Sequence, residues 1–303
     1  MRIFSHPTCL RHAVSPGHPE RPERLDTLLT HFEESGLTQD FPLIEAAPAS
    51  VEAVLRAHPD AHLSHLQSMQ PKEGVIPLDP DTWMGARSLD AALLAAGAVC
   101  RGVEDAVQGV DQRIFCAVRP PGHHAESDAA MGFCLLNSIA IGALHALTFP
   151  GIKRVAILDF DVHHGNGTVD ICKDHPDLLV CSSFQHPYYP HRFYENDWPN
   201  IVNTPLKAGS GSREFRRAIE RDWLPAVEAF RPDLIMVSAG FDAHAQDPLA
   251  ALNLDEADFA WITSFIVGLA NTYARGRIVS ALEGGYDLTA LKSSATAHLT
   301  ALA

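Results

Sequence analysis

The chain has 303 residues, 46% of them apolar and 20% charged, proportions that suit a single domain able to bury a large core and that disordered chains do not reach. Asp and Glu outnumber Lys and Arg by 37 to 23, and the net charge of −14 repels a phosphate backbone, which excludes nucleic acid as an expected ligand and leaves solubility or the steering of a cationic substrate as uses for the acidity. Six cysteines lie scattered without a Cys-x-x-Cys pair, no window approaches the ~18 continuous apolar residues of a membrane span, and the N-terminus lacks the apolar stretch of an export signal, so a reduced, cytoplasmic setting without a membrane is expected.

In chain order, Pro22 suits the first turn of a helix over 22–34. A Pro-containing stretch at 70–82 reads as a surface loop, and the apolar period over 86–107 as a helix. A short apolar run at 114–118 then reads as a strand, followed by a helix over 135–147. Strands at 155–160 and 178–181 precede a second Pro-rich loop at 186–205. A helix over 212–230, a strand at 234–237, a helix over 256–274 and a strand at 278–282 complete the pattern. Strands that are apolar on both faces and alternate with helices predict βαβ crossovers in a parallel sheet. With no repeat or linker in view, residues 1–303 are expected to form one domain.

Most of these strands run straight into residues of catalytic type, in RPPGHH, DFDVHHGNG, SSFQH, SAGFDAH and EGGYD. The carboxyl ends of parallel strands share one edge of the sheet, so these distant segments are expected to converge. Period-two geometry predicts that Asp159, Asp161 and His163 share a face. Carboxylates in a buried apolar strand demand a counter-charge, and a divalent metal is the simplest one. The alternative is that both aspartates cap the next helix and His163 is a satisfied core histidine. Asp242, after LIMVSAGF, is the best third ligand; two carboxylates and an imidazole leave a tetrahedral zinc with an open position. His123 and His124 suit proton transfer, with Asp159 and Asn166 as natural partners for their Nδ1 atoms, although an adjacent pair of histidines is also common in structural roles. Tyr286 follows two glycines that let the backbone approach a ligand, and its phenol can donate to an oxyanion, or simply pack.

These motifs, PPGHH, GFCLLN, LDFDVHHGNGT, SAGFDAH and EGGYD, resemble the histone deacetylase family through most of the chain, and HPERPERL with Asn166 resembles its class II branch and the bacterial relatives. The resemblance implies an arginase/deacetylase α/β fold with a central parallel sheet of about eight strands flanked by helices, one catalytic zinc and a narrow acyl-lysine tunnel. By motif, Asp161, His163 and Asp242 would bind zinc, His123, His124 and Tyr286 would perform the chemistry, and Asp159 and Asn166 would orient the histidines. Gly132 and Phe133 would line the tunnel, with Arg21 near an internal acetate channel. Two positions depart from the pattern. Tyr189 stands where the second tunnel phenylalanine is usual, and Ser182-Ser183-Phe184 replaces Ser-Leu-His, at a structural potassium site implied at Asp159, Asp161, His163 and Ser182.

The function expected is removal of acetyl groups from lysine side chains of proteins or peptides. Polyamine deacetylases of this family tend to carry a Glu seven residues beyond the third zinc ligand; here that position is Leu249, which gives a remote ammonium no partner. Acetylpolyamine or other small acyl-amine hydrolysis is the alternative. A binuclear manganese ureohydrolase would need further bridging carboxylates, and a non-catalytic acyl-ligand binder would have lost Tyr286 or a metal ligand. Oligomerisation is left open by the sequence.

Overall fold

Short runs of Val, Ile, Leu and Phe, bounded by Gly, Pro and Asp, form the strands of this protein in a computed structural model that describes residues 1–195 and 197–303. The strands are β1 (Arg2–Ser5), β2 (Leu43–Glu45), β3 (Val75–Pro77), β4 (Trp83–Gly85), β5 (Arg113–Cys116), β6 (Val155–Asp159), β7 (Leu178–Gln185), β8 (Ile201–Leu206), β9 (Leu234–Ala239) and β10 (Ile278–Leu282). Among the described residues eight of them form one sheet in the order β2-β1-β5-β10-β9-β6-β7-β8, every neighbouring pair parallel, while β3 and β4 form an antiparallel pair of their own.

Helices cover both faces of the sheet, as its apolar strands require. Ser88–Gln108 packs on β1, β5 and β10, and Ser138–Ala146 beside it on β6 and β9. The opposite layer holds Glu23–Glu34, Leu288–Leu302, Glu256–Tyr273 and Ser212–Phe230, each packed on the next. Strand β10 shows the alternation directly: Ser280 Oγ meets His298 Nε2 of Leu288–Leu302 at 2.9 Å, and Val279 lies against Gly102 of the long helix on the other side. All six cysteines are buried and unpaired.

The chain passes from β5 to β6 across the gap that β10 and β9 later fill, and crevices for ligands in parallel sheets open where strand order reverses in this way. The segments after β5, β6, β7, β9 and β10 all emerge there.

Where expectation and structure differ, the causes are local. The 186–205 stretch is not loop throughout, because β8 begins at Ile201; its Pro205 is tolerated because β8 is an edge strand with an outer side free of ladder bonds. Likewise β3 falls inside the 70–82 stretch. The helix expected over 135–147 starts three residues later, at Ser138, because the side chain of Asn137 accepts from Ala140 N and caps it.

Candidate functional site

Strand β6 ends at Asp159, so Asp161 and His163 lie in the bend beyond it and strand alternation does not place them. A ladder of backbone bonds does: Asp159 Oδ1 accepts from Asp161 N at 3.1 Å, and Asp161 Oδ1 accepts from His163 N at 2.9 Å. The three side chains share a site, as expected, through Asx-type turns.

Asp242, from the turn after β9, completes the cluster. Asp161, His163 and Asp242 are the one group of at least three possible ligands of this kind found among the described residues; all are buried and their ligand atoms lie within 4.8 Å of one another. His163 Nδ1 is 3.1 Å from Asp161 Oδ1 and 3.1 Å from Asp242 Oδ2. Atoms at such spacing fit around one tetrahedral ion with bonds of roughly 2.0–2.2 Å. The electrostatics agree. Burial, reinforced by the charge of Asp161, pushes the Asp242 carboxyl up to about 7 despite His163, whereas the surrounding imidazoles hold Asp161 well below the carboxylate range against its own burial. Two carboxylates this close and this dry cannot both ionise comfortably until a cation joins them. The backbone is adapted to the cluster at Gly284, whose N–H donates to Asp161 Oδ2 at 2.8 Å; a Cβ there would stand 2.1 Å from Asp242 Oδ2.

The histidine pair has two different partners. His123 Nδ1 donates to Asp159 Oδ2 at 2.9 Å, and although burial opposes it, the carboxylates of Asp161, Asp159 and Glu283 raise His123 to about 10. His124 Nδ1 meets Asn166 Oδ1 at 2.7 Å. The orientation of that amide is fixed because Asn166 Nδ2 donates to Glu126 Oε1 at 2.7 Å, so Asn166 Oδ1 accepts from His124. Burial and the neighbouring imidazoles of His123 and His163 keep His124 neutral, with an unprotonated Nε2.

A cavity of about 150 Å³ opens onto these groups, lined by Asp81, His124, Gly132, Phe133, His163, Tyr188, Tyr189, Leu249 and Tyr286. Phe133 meets Tyr286 edge to face at 5.8 Å, and Tyr189 meets His124 in the same way at 5.2 Å. Gly132 has φ +56°, and a Cβ there would press to 2.5 Å from the His124 ring. Phe133 itself adopts φ +69°, a strained value for a side chain of its size, which fits a residue whose orientation serves a site.

Every residue singled out from the sequence for the metal, the histidine pair, the phenol and the cavity wall is brought to this edge. Ser182 faces Asp159 across the β6–β7 register, and its hydroxyl accepts from Gly165 N at 3.5 Å. Arg21 is the exception. It precedes the helix that begins at Glu23 and is exposed, whereas Arg24, one turn on, is fully buried with its guanidinium 4.8 Å from the Tyr286 ring centroid. Sequence reasoning also passed over Asp247, whose Oδ2 accepts from Tyr286 N at 2.7 Å, and Glu283, whose Oε2 accepts from Gly122 N at 2.7 Å and His123 N at 3.1 Å. Tyr188, neighbour of the expected Tyr189, donates to Leu249 O at 2.7 Å and stacks on His163.

The arrangement is that of an α/β enzyme with one candidate metal centre reached through a narrow aromatic channel. Residues 18–302 match the histone deacetylase domain. A probable deacetylase of Methanothermobacter thermautotrophicus is 40% identical over 94% of this chain and 86% of its own length, and the histone deacetylase-like amidohydrolase of Pseudomonas aeruginosa is 36% identical over 94% and 81%. The crystal structure of the HDA15 HD domain superposes with a TM-score of 0.93 at 32% identity, covering 99% of this chain and 87% of that one. The chain belongs to the histone deacetylase family and is a hydrolase acting on amide bonds. Family and structure thus set aside the ureohydrolase and non-catalytic readings. No helix of the described residues is long and apolar enough to cross a membrane.

Proposed function

We propose that this protein removes acetyl groups from lysine side chains in proteins or peptides, using one zinc ion held by Asp161, His163 and Asp242. The observation that carries the reading is the convergence of His124, His163 and Tyr286 on one cavity of about 150 Å³, a volume that suits a slender acylated alkyl chain. A zinc ion, when bound, supplies Lewis-acid polarisation of the acyl carbonyl and acidifies water.

The remaining chemistry belongs to the chain. Phe133 and Tyr189 flank the alkyl chain and exclude bulk water. His124, neutral and with Nε2 free toward the channel, takes the proton of the attacking water and returns it to the departing amine. His123, paired with Asp159, keeps its proton and adds positive charge next to His124, whose ring centroid lies 4.0 Å away. The Tyr286 phenol, which burial and neighbouring carboxylates hold well above its usual range, stays protonated and donates a hydrogen bond to that oxyanion. A structural potassium at Asp159, Asp161, His163 and Ser182 belongs to the same reading.

The rim favours acetyl-lysine through Leu249, whose apolar side chain offers nothing to a distal ammonium. Asp81, a carboxylate on the same rim, favours the second reading, a cationic acetylated polyamine. Comparing kcat/KM for an acetyl-lysine peptide and N-acetylputrescine, with zinc quantified per chain, separates them. The peptide is expected to be the better substrate, with one zinc per chain and activity lost to a chelator. A strong polyamine preference overturns the substrate, and a metal-free active enzyme overturns the zinc.

A further inference from the structure

We infer that Glu20 is a positioning residue that ties the tyrosine loop and the histidine loop into one rigid unit; the inference rests on the roles proposed above for Tyr286 and His124. Glu20 lies beneath the site, fully buried, and accepts bonds from two buried arginines. Its Oε1 takes Arg24 Nη1 at 3.0 Å and Arg119 Nε at 2.5 Å, and its Oε2 takes Arg119 Nη2 at 2.7 Å. His12 Nε2 stands 3.2 Å from Oε2.

Each arginine serves a different loop. Arg24 Nε donates to Gly285 O and Nη2 to Glu283 O, both at 2.6 Å, so its planar fork grips the backbone on either side of Gly284 and its face lies against the Tyr286 ring. Arg119 opens the Arg119-Pro120-Pro121-Gly122 segment that ends in His123 and His124, and its Nη1 donates to Cys9 O at 3.0 Å. One carboxylate thus links the residue that clamps the phenol loop to the residue at the root of the imidazole loop.

Geometry also shows why the link is a single acid. Two guanidinium groups this deeply buried demand a shared counter-charge, and bidentate pairing to Arg119 leaves Oε1 oriented for Arg24. Methionine in place of Glu20 leaves no acceptor for either donor-only group, so Arg24 and Arg119 both lose the partner that joins them, whereas an amide oxygen at the Oε1 position would still serve Arg24. Arg24 is the one that shifts the reaction geometry, because its other two bonds end on the carbonyls of Glu283 and Gly285, in the loop that carries Tyr286. A displacement of about 1 Å at a reacting group costs on the order of a hundredfold in rate.

Glu20→Met is therefore expected to lower kcat by roughly ten- to a hundredfold while KM stays within about twofold, with zinc content unchanged. In a Tyr286→Phe background the same substitution is expected to have little further effect, because the phenol whose placement it governs is gone. Should the single variant fail to fold, Glu20→Met/Arg119→Met removes one charge of each sign and still leaves Arg24 without its carboxylate, so the same fall in kcat is expected. Assays use whichever of acetyl-lysine peptide and N-acetylputrescine the wild-type chain turns over, so a wrong substrate reading shows itself separately. A kcat within twofold of wild type in the folded single or double variant overturns the proposal, as does a loss of equal size with and without the Tyr286 hydroxyl.

Discussion

Tyr286 is held on several sides. Asp247 fixes its backbone N–H, Arg24 lies against its ring and Phe133 meets its edge, which leaves the hydroxyl as the free end of a locked side chain. Removing that hydroxyl alone should then delete one oxyanion donor and little else. Tyr286→Phe is expected to lower kcat by roughly two to three orders of magnitude with zinc still bound; unchanged turnover beside a full complement of zinc removes the phenol from the chemistry. Residues of this kind were legible in the sequence because they stand at strand ends within short motifs, where polar groups interrupt apolar runs. Arg24, Asp247 and Glu283 were not, since they act on backbone atoms of segments far away: Arg24 bonds a carbonyl 261 residues distant. No local pattern carries that information. The resemblance points to Arg21 in HPERPERL, and a sequence does not show which arginine of that motif the first helical turn carries inward.

Elements with a strong period were read nearly to the residue. The helix Ser212–Phe230 and the strand β10 match their expected bounds, and Glu256–Tyr273 differs by one residue. What escaped includes the helices Val51–Ala57 and Asp60–Met69, the last four residues of β7, which the sequence reading ends at Cys181, and the shortest strands. Strand β1 has four residues and β2 three, both toward one edge of the sheet, where pairing with neighbours rather than their own patterning makes them strands. The helix Asn166–Cys172, which the sequence reading gives no bounds, begins with the residue that also serves His124. Helix ends nonetheless have readable chemistry. Asp255 caps Glu256–Tyr273, its Oδ1 accepting from Asp258 N at 3.2 Å while Asp258 Oδ2 accepts from Asp255 N at 3.3 Å, a reciprocal capping box. Asp258 also takes Ser212 Oγ at 2.7 Å and Arg216 Nε at 2.8 Å, so the cap fastens one helix to its neighbour. Asp255→Ala is expected to cost about 1 kcal/mol in urea unfolding without changing KM. A loss below ~0.3 kcal/mol means the box contributes nothing here.

Across the whole molecule, stability should depend on pH through imidazoles buried in the neutral form. His298 bridges Thr263 Oγ1 and Ser280 Oγ, and burial pushes it down to about 3; His58, by burial and the nearby His62, falls to about 4. Their unfolded values lie near 6.5, so between that pH and the folded values the unfolded chain binds the extra protons, and each group withdraws up to roughly 1.4 kcal/mol of stability per pH unit of acidification. Glu283, lifted to about 7 by burial, acts in the opposite sense over part of the same range. Comparing wild type with His298→Gln isolates one imidazole: the stability advantage of the wild type is expected to shrink steadily from pH 6.5 toward 4. An advantage that does not change with pH shows that His298 takes no part in the acid sensitivity.

The six cysteines bear on how such a chain opens. Each thiol is buried, in the strands, the helices or the loop beside the site, and burial drives Cys100 up to about 12 and Cys116, Cys172 and Cys181 further. Thiolate is the form that alkylating reagents and peroxide attack, so the native state shields all six from them. Their modification becomes a clock for transient opening: whichever cysteine is captured first marks the layer that loosens first, and the family's reaction can be followed on the same sample with no introduced label.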